Sequence, residues 1–140
     1  MSEATSFPYQ PKSGEGNGVL PFCPVLLISS VSVIMADGLL DSGATVSVLP
    51  HSVGITLGFR WDQDLPSVSL GGNLARFEAR LIRLSIAIPG FSPHPMSFAW
   101  SKSDNIPVIL GQMNFFQFYD VTFHGSQRSF EIQTASNLPF

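Results

Sequence analysis

A carboxylate set in a turn, Asp41-Ser42-Gly43-Ala44, stands at the end of an apolar run and constrains this chain more than any other segment. Leu39-Leu40 leads into it and Thr45 to Leu49 leads away. Asp and Ser side chains bond neighbouring backbone, and Gly accepts conformations closed to other residues, so the four residues read as a tight turn. A second apolar segment that ends in glycine, Val108-Ile109-Leu110-Gly111, follows much later. Taken singly, one is a turn and the other a buried strand. The Asp-Ser-Gly motif occurs once. Asp37 leads into Gly, Asp62 into Gln, Asp64 into Leu, Asp104 into Asn and Asp120 into Val.

Short apolar runs separated by turn residues fill most of the chain, which predicts an all-β fold with at most one or two short helices. Val25 to Met35 reads as a strand or a bent pair of strands. Asp37-Gly38 between apolar runs predicts a type I′ hairpin turn, with Leu39-Leu40 as the returning strand. Thr45 to Leu49 reads as a strand ended by Pro50, and His51 to Phe59 as a short helix or turn. Val68 to Leu70 and Leu74 to Ile88 flank Gly71-Gly72-Asn73 as a second hairpin. Its return arm alternates through Phe77, Ala79 and Leu81, then Leu84, Ile86 and Ile88. Pro89 to Pro95 is a turn, and Met96 to Trp100 and Val108 to Leu110 are strands. Asn114 to Tyr119 suits a brief helix, and Val121 to Phe123 with Ser129 to Gln133 a closing hairpin. Residues 1–19, rich in Ser, Gly, Glu and Pro, are expected to form a flexible arm, 20–135 the folded domain and 136–140 a tail.

Composition narrows the function. With 140 residues, 44% apolar and 12% charged, the chain is long enough for one domain with a real core. A net charge of -3 argues against nucleic acid as a partner. Arg76, Arg80 and Arg83 are expected on a solvated strand face. Cys23 is the single cysteine, so an intrachain disulfide is impossible, and a buried inert thiol is expected. His51, His94 and His124 lack metal-ligand spacing. Leu20 to Ala36 carries no charge until Asp37, but it is short for a membrane span and interrupted by Pro21, Pro24 and serines. Two buried strands explain it better. No basic start precedes it, so neither a signal peptide nor a membrane anchor is expected, and an intracellular location is favoured.

Taken together, Leu39 to Pro50 (LLDSGATVSVLP), Gly71-Gly72 and Ile106 to Phe123 (IPVILGQMNFFQFYDVTF) resemble the retropepsin-like aspartic proteases, the single-domain dimeric kind. The likeness covers roughly residues 20 to 133. It implies a small closed β-barrel-like aspartic protease fold, with one lobe per chain. It implies peptide hydrolysis by Asp41 and the Asp41 of a second subunit, with no metal and no cofactor. The homodimer would act on an extended peptide or protein substrate. Ser42 would bond across the two-fold axis, Gly43 would let the loop bend, and Ala44 would leave the cleft open. Gly71, Gly72 and Asn73 would form a mobile flap, and Ile109, Leu110 and Gly111 the segment supporting the loop. Terminal strands before Leu20 and after Phe130 would interleave at the interface. Many viral members carry an acidic residue after the motif and an Arg after the late glycine. Here Thr45 or Val46 and Gln112 stand in those places. The alternative is a non-catalytic β-barrel peptide-binding module that keeps the fold. No G-x-S-x-G elbow, P-loop, H-E-x-x-H or dinucleotide fingerprint points to another enzyme class.

Overall fold

The computed structural model describes residues 4–11, 18–62 and 64–135, with Asn73 described by its backbone only. Eleven strands and two short α-helices follow in order: β1 Thr5–Pro8, β2 Gln10–Pro11, β3 Val19–Leu20, β4 Phe22–Ile28, β5 Val33–Leu40, β6 Val48–Leu49, α1 His51–Thr56, β7 Ala79–Ala87, β8 His94–Ser101, β9 Val108–Leu110, α2 Phe115–Phe118, β10 Tyr119–His124 and β11 Ser129–Thr134. Two 3-10 turns cover Gly72–Leu74 and Gly125–Gln127.

Six strands close into a barrel in the order β4-β5-β9-β6-β8-β7. On β7 the inward residues Ile82, Leu84 and Ile86 are buried, with Ile88 just beyond the strand. Leu81, expected inward, is 40% exposed, and Ile82 takes its place. Side chains alternate faces along a strand, so buried Ala79 and buried Ile82 mark a change of phase within β7, after which Leu84 and Ile86 point inward as expected. The barrel interior holds Leu27, Leu49, Phe98, Trp100 and Leu110, and Phe115, Phe130 and Ile132 extend the same cluster. The chain is all-β with two short helices, as the run of short strands predicts.

Leu20 to Ala36 supplies strands, not a span, and no helix among the described residues is long and apolar enough to cross a membrane. The hairpin turn, however, is misplaced by the Asp-Gly rule. The chain reverses at Ser29–Ser32, where Ser29 N–H donates to Ser32 O at 2.9 Å and the Ser29 hydroxyl accepts from Ser32 N–H at 3.1 Å. Asp37 and Gly38 lie inside β5. Gly38 is there because Leu110 packs against it, and an added Cβ would stand 2.7 Å from Leu110 Cδ1. The expected strand at Thr45 to Leu49 shrinks to Val48–Leu49, because Thr45 and Val46 belong to the loop after Asp41.

The chain ends meet in a second sheet, of order β1-β11-β10. Thr5 lies opposite Ile132 and Pro8 opposite Ser129, and Phe7 stacks on Phe130 with ring centroids 5.4 Å apart. Residues 5–8 are therefore part of the folded domain and not of a flexible arm. Within one chain β1 takes one edge of β11, and its own outer edge pairs with no described strand. Residues 136–140, expected as a tail, lie outside the described residues.

Candidate active site

Two strands bring the two glycine-ended segments together. β5 and β9 run parallel, pairing Gly38 with Val108, Leu39 with Ile109 and Leu40 with Leu110. β9 also pairs antiparallel with β6 on its other side, at Val48 and Ile109. The loop joining β5 to β6 thus leaves and re-enters the barrel around the end of β9, and Asp41 sits where it leaves.

The loop is fixed at both ends. Asp41 N–H donates to Leu110 O at 3.0 Å, and Ala44 N–H to Asp41 O at 3.1 Å, closing a turn over residues 41–44. Inside it, Gly43 N–H donates to Asp41 Oδ1 at 3.0 Å. The half-buried carboxylate is oriented by its own loop. Gly43 needs no left-handed backbone; its value is close approach, since a Cβ would stand 3.3 Å from Asp41 Oδ1. Ser42 is exposed, and no described residue bonds its hydroxyl.

Gly111 lies directly under the loop. A Cβ there would stand 2.6 Å from Val46 O and 2.8 Å from Ala44 O, so only glycine fits. Gly111 N–H donates to the Ser47 hydroxyl at 3.0 Å, Gln112 N–H to Ala44 O at 2.8 Å and Met113 N–H to Thr45 O at 2.9 Å. Gln112 Nε2 donates to Ser42 O at 2.7 Å. Gln112 therefore binds the loop from both its backbone and its side chain, with an uncharged amide. Ser47 and Gln112 were not singled out as loop supports from sequence. Ser47 carries a signal, a small hydroxyl among apolar neighbours, and it is buried just before β6; Gln112 carries none beyond its position.

Gly71 and Gly72 lie on an exposed segment anchored near this loop. Val68 N–H donates to Ala79 O at 3.1 Å and Leu81 N–H to Pro66 O at 2.8 Å, closing the base of the expected hairpin. Its tip is the 3-10 turn at Gly72–Leu74, with Gly72 at φ +58°. A Cβ at Gly71 or Gly72 would meet nothing. The flanking Leu70 is buried, and Leu74, Val68 and Phe77 pack with it on a second apolar cluster. That cluster also holds Ala44, Val46, Val48, Ile106 and Ile109. Ala44, Ile109 and the glycine segment thus share one apolar floor. The side chain of Asn73 lies outside the described residues.

The remaining titratable groups lie elsewhere. Burial, helped by the charge of Asp37, pushes the Cys23 thiol far up, which makes it inert. Burial pushes the Tyr119 phenol up to about 12, and the nearby Cys23 adds to this. Burial lowers the pKa of His94, partly offset by the Pro95 carbonyl. Asp104 accepts Ser52 N–H at 2.8 Å, and this bond holds its carboxyl below the usual value. Arg80 is not solvated as expected. It lies over the Trp61 ring at 5.5 Å and donates to Ser67 Oγ at 3.0 Å, while Arg83 reaches Ser97 Oγ from the other face. Among the described residues no group of three His, Cys, Asp or Glu side chains is placed to hold a metal ion.

No family model matches the chain, and no curated protein matches it by sequence. The crystal structure of a retropepsin-like aspartic protease from Rickettsia conorii is similar to it, with a TM-score of 0.64 and 16% sequence identity. The match covers 96% of this chain and 97% of that one. Closed six-strand barrel, paired β5 and β9, and whole-length superposition agree: the chain has the retropepsin-like fold.

Proposed function

We propose that the protein is an aspartic endopeptidase active as a homodimer. The observation that carries this reading is the Asp41 carboxylate, held by Gly43 N–H in a loop clamped from below by Gly111, Gln112 and Met113. Catalytic groups need this kind of rigid support, because small errors of placement cost rate. Peptide hydrolysis by carboxylates takes two, one ionised to accept a proton from water and one protonated to donate towards the carbonyl oxygen. Two carboxylates about 3 Å apart share one proton, the arrangement known for aspartic proteases generally. One chain offers a single Asp-Ser-Gly loop, so the second carboxylate comes from Asp41 of the partner subunit across a two-fold axis. The exposed Ser42 hydroxyl faces that partner, and an extended peptide lies between the loop and the Gly71-Gly72 segment.

Asp41→Asn tests the reading. Peptide cleavage should disappear while the circular dichroism spectrum stays that of wild type. Wild-type cleavage should favour acid, because one carboxylate of the pair works protonated, and should survive chelators. A folded Asp41→Asn protein that cleaves at the wild-type rate would refute the mechanism.

A further inference from the structure

Gln112 follows the glycine beneath the loop, and its side chain reaches back seventy positions to the Ser42 carbonyl, with Nε2 2.7 Å from the oxygen. Its backbone N–H donates to Ala44 O. One residue therefore grips the loop on both sides of Gly43. Any residue but proline at this position supplies the backbone bond; the side-chain bond needs a donor of this length. Ser42 and Gln112 are both exposed, so water would satisfy either group if they parted. What the direct bond adds is orientation. Ser42 C=O and Gly43 N–H belong to one peptide unit, which is planar and turns as a whole. A donor fixed on its oxygen fixes the direction of its N–H. That N–H is the one that donates to Asp41 Oδ1.

We infer that Gln112 is a positioning residue, which aims the Gly43 N–H at Asp41 Oδ1 through the Ser42–Gly43 peptide plane and so sets the orientation of the carboxylate. This role rests on Asp41 acting as proposed above. An amide suits it because the neighbouring Thr45 and Val46 offer no carboxylate to balance a cation. The bond also polarises the peptide it holds, which strengthens the next bond in the chain.

Steady-state cleavage of a peptide by the full chain, across a range of pH, tests this with Gln112→Ala and Gln112→Glu. Gln112→Ala should lower kcat about tenfold at every pH, roughly one hydrogen bond's worth, with KM changed less. The Gly43 amide proton, read by NMR, should move upfield in the same variant. Gln112→Glu separates positioning from mere bulk. An ionised Glu has no proton to donate to Ser42 O, whereas a protonated one does. Its kcat relative to wild type should therefore recover as pH falls through about 4.3, while that of Gln112→Ala stays flat. Wild-type kcat in both variants, a Gln112→Glu ratio that ignores pH, or a deficit erased by raising protein concentration would each overturn the role. Cleavage that depends on Asp41 while both Gln112 variants are unimpaired sinks this inference alone. Cleavage that ignores Asp41→Asn sinks the catalytic reading and this role with it.

Discussion

At the scale of single residues, Gly111 is where backbone crowds backbone. The atoms a Cβ would strike are main-chain atoms of Val46 and Ala44, which cannot swing aside as the end of a side chain can. Gly111→Ala should therefore cost about 1–3 kcal/mol of stability, the usual range for an overfilled site. It should also lose more activity than the drop in stability explains, because the displaced carbonyls belong to the loop proposed to carry catalysis. Thermal melting beside cleavage rates checks both; a melting temperature unchanged from wild type would show that the loop gives way freely. Gly38 is a milder case, since its neighbour is the Leu110 side chain. These two glycines show what sequence conveys and what it does not. Gly111 is legible because an apolar run ending in glycine, paired with Asp-Ser-Gly, specifies a joint arrangement. Gly38 is misread because Asp-Gly carries a local turn signal, while the reason for the glycine is a side chain more than seventy positions away. Local chemistry is written in neighbours; packing partners are not.

Elements depend on one another for their ends. Helix α1 begins after Pro50 and has no side-chain cap of its own. The cap arrives from the loop before β9, where Asp104 accepts Ser52 N–H at 2.8 Å. On its other side Trp100 of β8 donates its indole N–H to His51 O at 3.0 Å, and Gly54 leaves room for the same indole. Asp104→Ala should destabilise by about 0.5–1 kcal/mol, the lower part of the capping range because the pair is solvated. Asp104→Asn, which keeps an acceptor, should recover most of it, and denaturant melts of the three proteins decide. The lowered pKa of Asp104 adds a sign: its folded carboxyl ionises more readily than the unfolded one, so this stabilisation is present above about pH 4 and fades as pH falls through the folded value. Helix α1 was legible from the sequence, but its cap was not, since donor and acceptor are 52 positions apart.

For the whole molecule, acidity and assembly set the working range. His94 packs against Phe118 and Tyr119, with ring centroids 4.1 Å and 5.2 Å away, and its Nε2 is buried without a partner. Its folded pKa lies below the unfolded value, so the unfolded chain takes up the proton first. Stability is then full above about pH 6.5 and falls as pH drops from there towards the folded pKa. Melting temperatures at neutral and mildly acid pH should diverge more in wild type than in His94→Phe; equal slopes would exonerate the histidine. Assembly is the second limit. In the proposed dimer both the loops around Asp41 and the free edge of β1, which pairs with β11 on its other side, are available to the partner. Specific activity should fall on dilution in step with dimer content measured by sedimentation, and Ser42→Ala should shift both by about 1 kcal/mol. A protein that stays monomeric and fully active would require a second carboxylate in the same chain. The clamp on the Asp41 loop also has a meaning in time. Asp41 is made before the donors to Ser42, Ala44 and Thr45, since Gln112 and Met113 come some seventy residues later. Closing so long a loop is slow compared with forming a local hairpin. A growing chain thus carries the Asp41 carboxylate well before it carries the residues that clamp its loop.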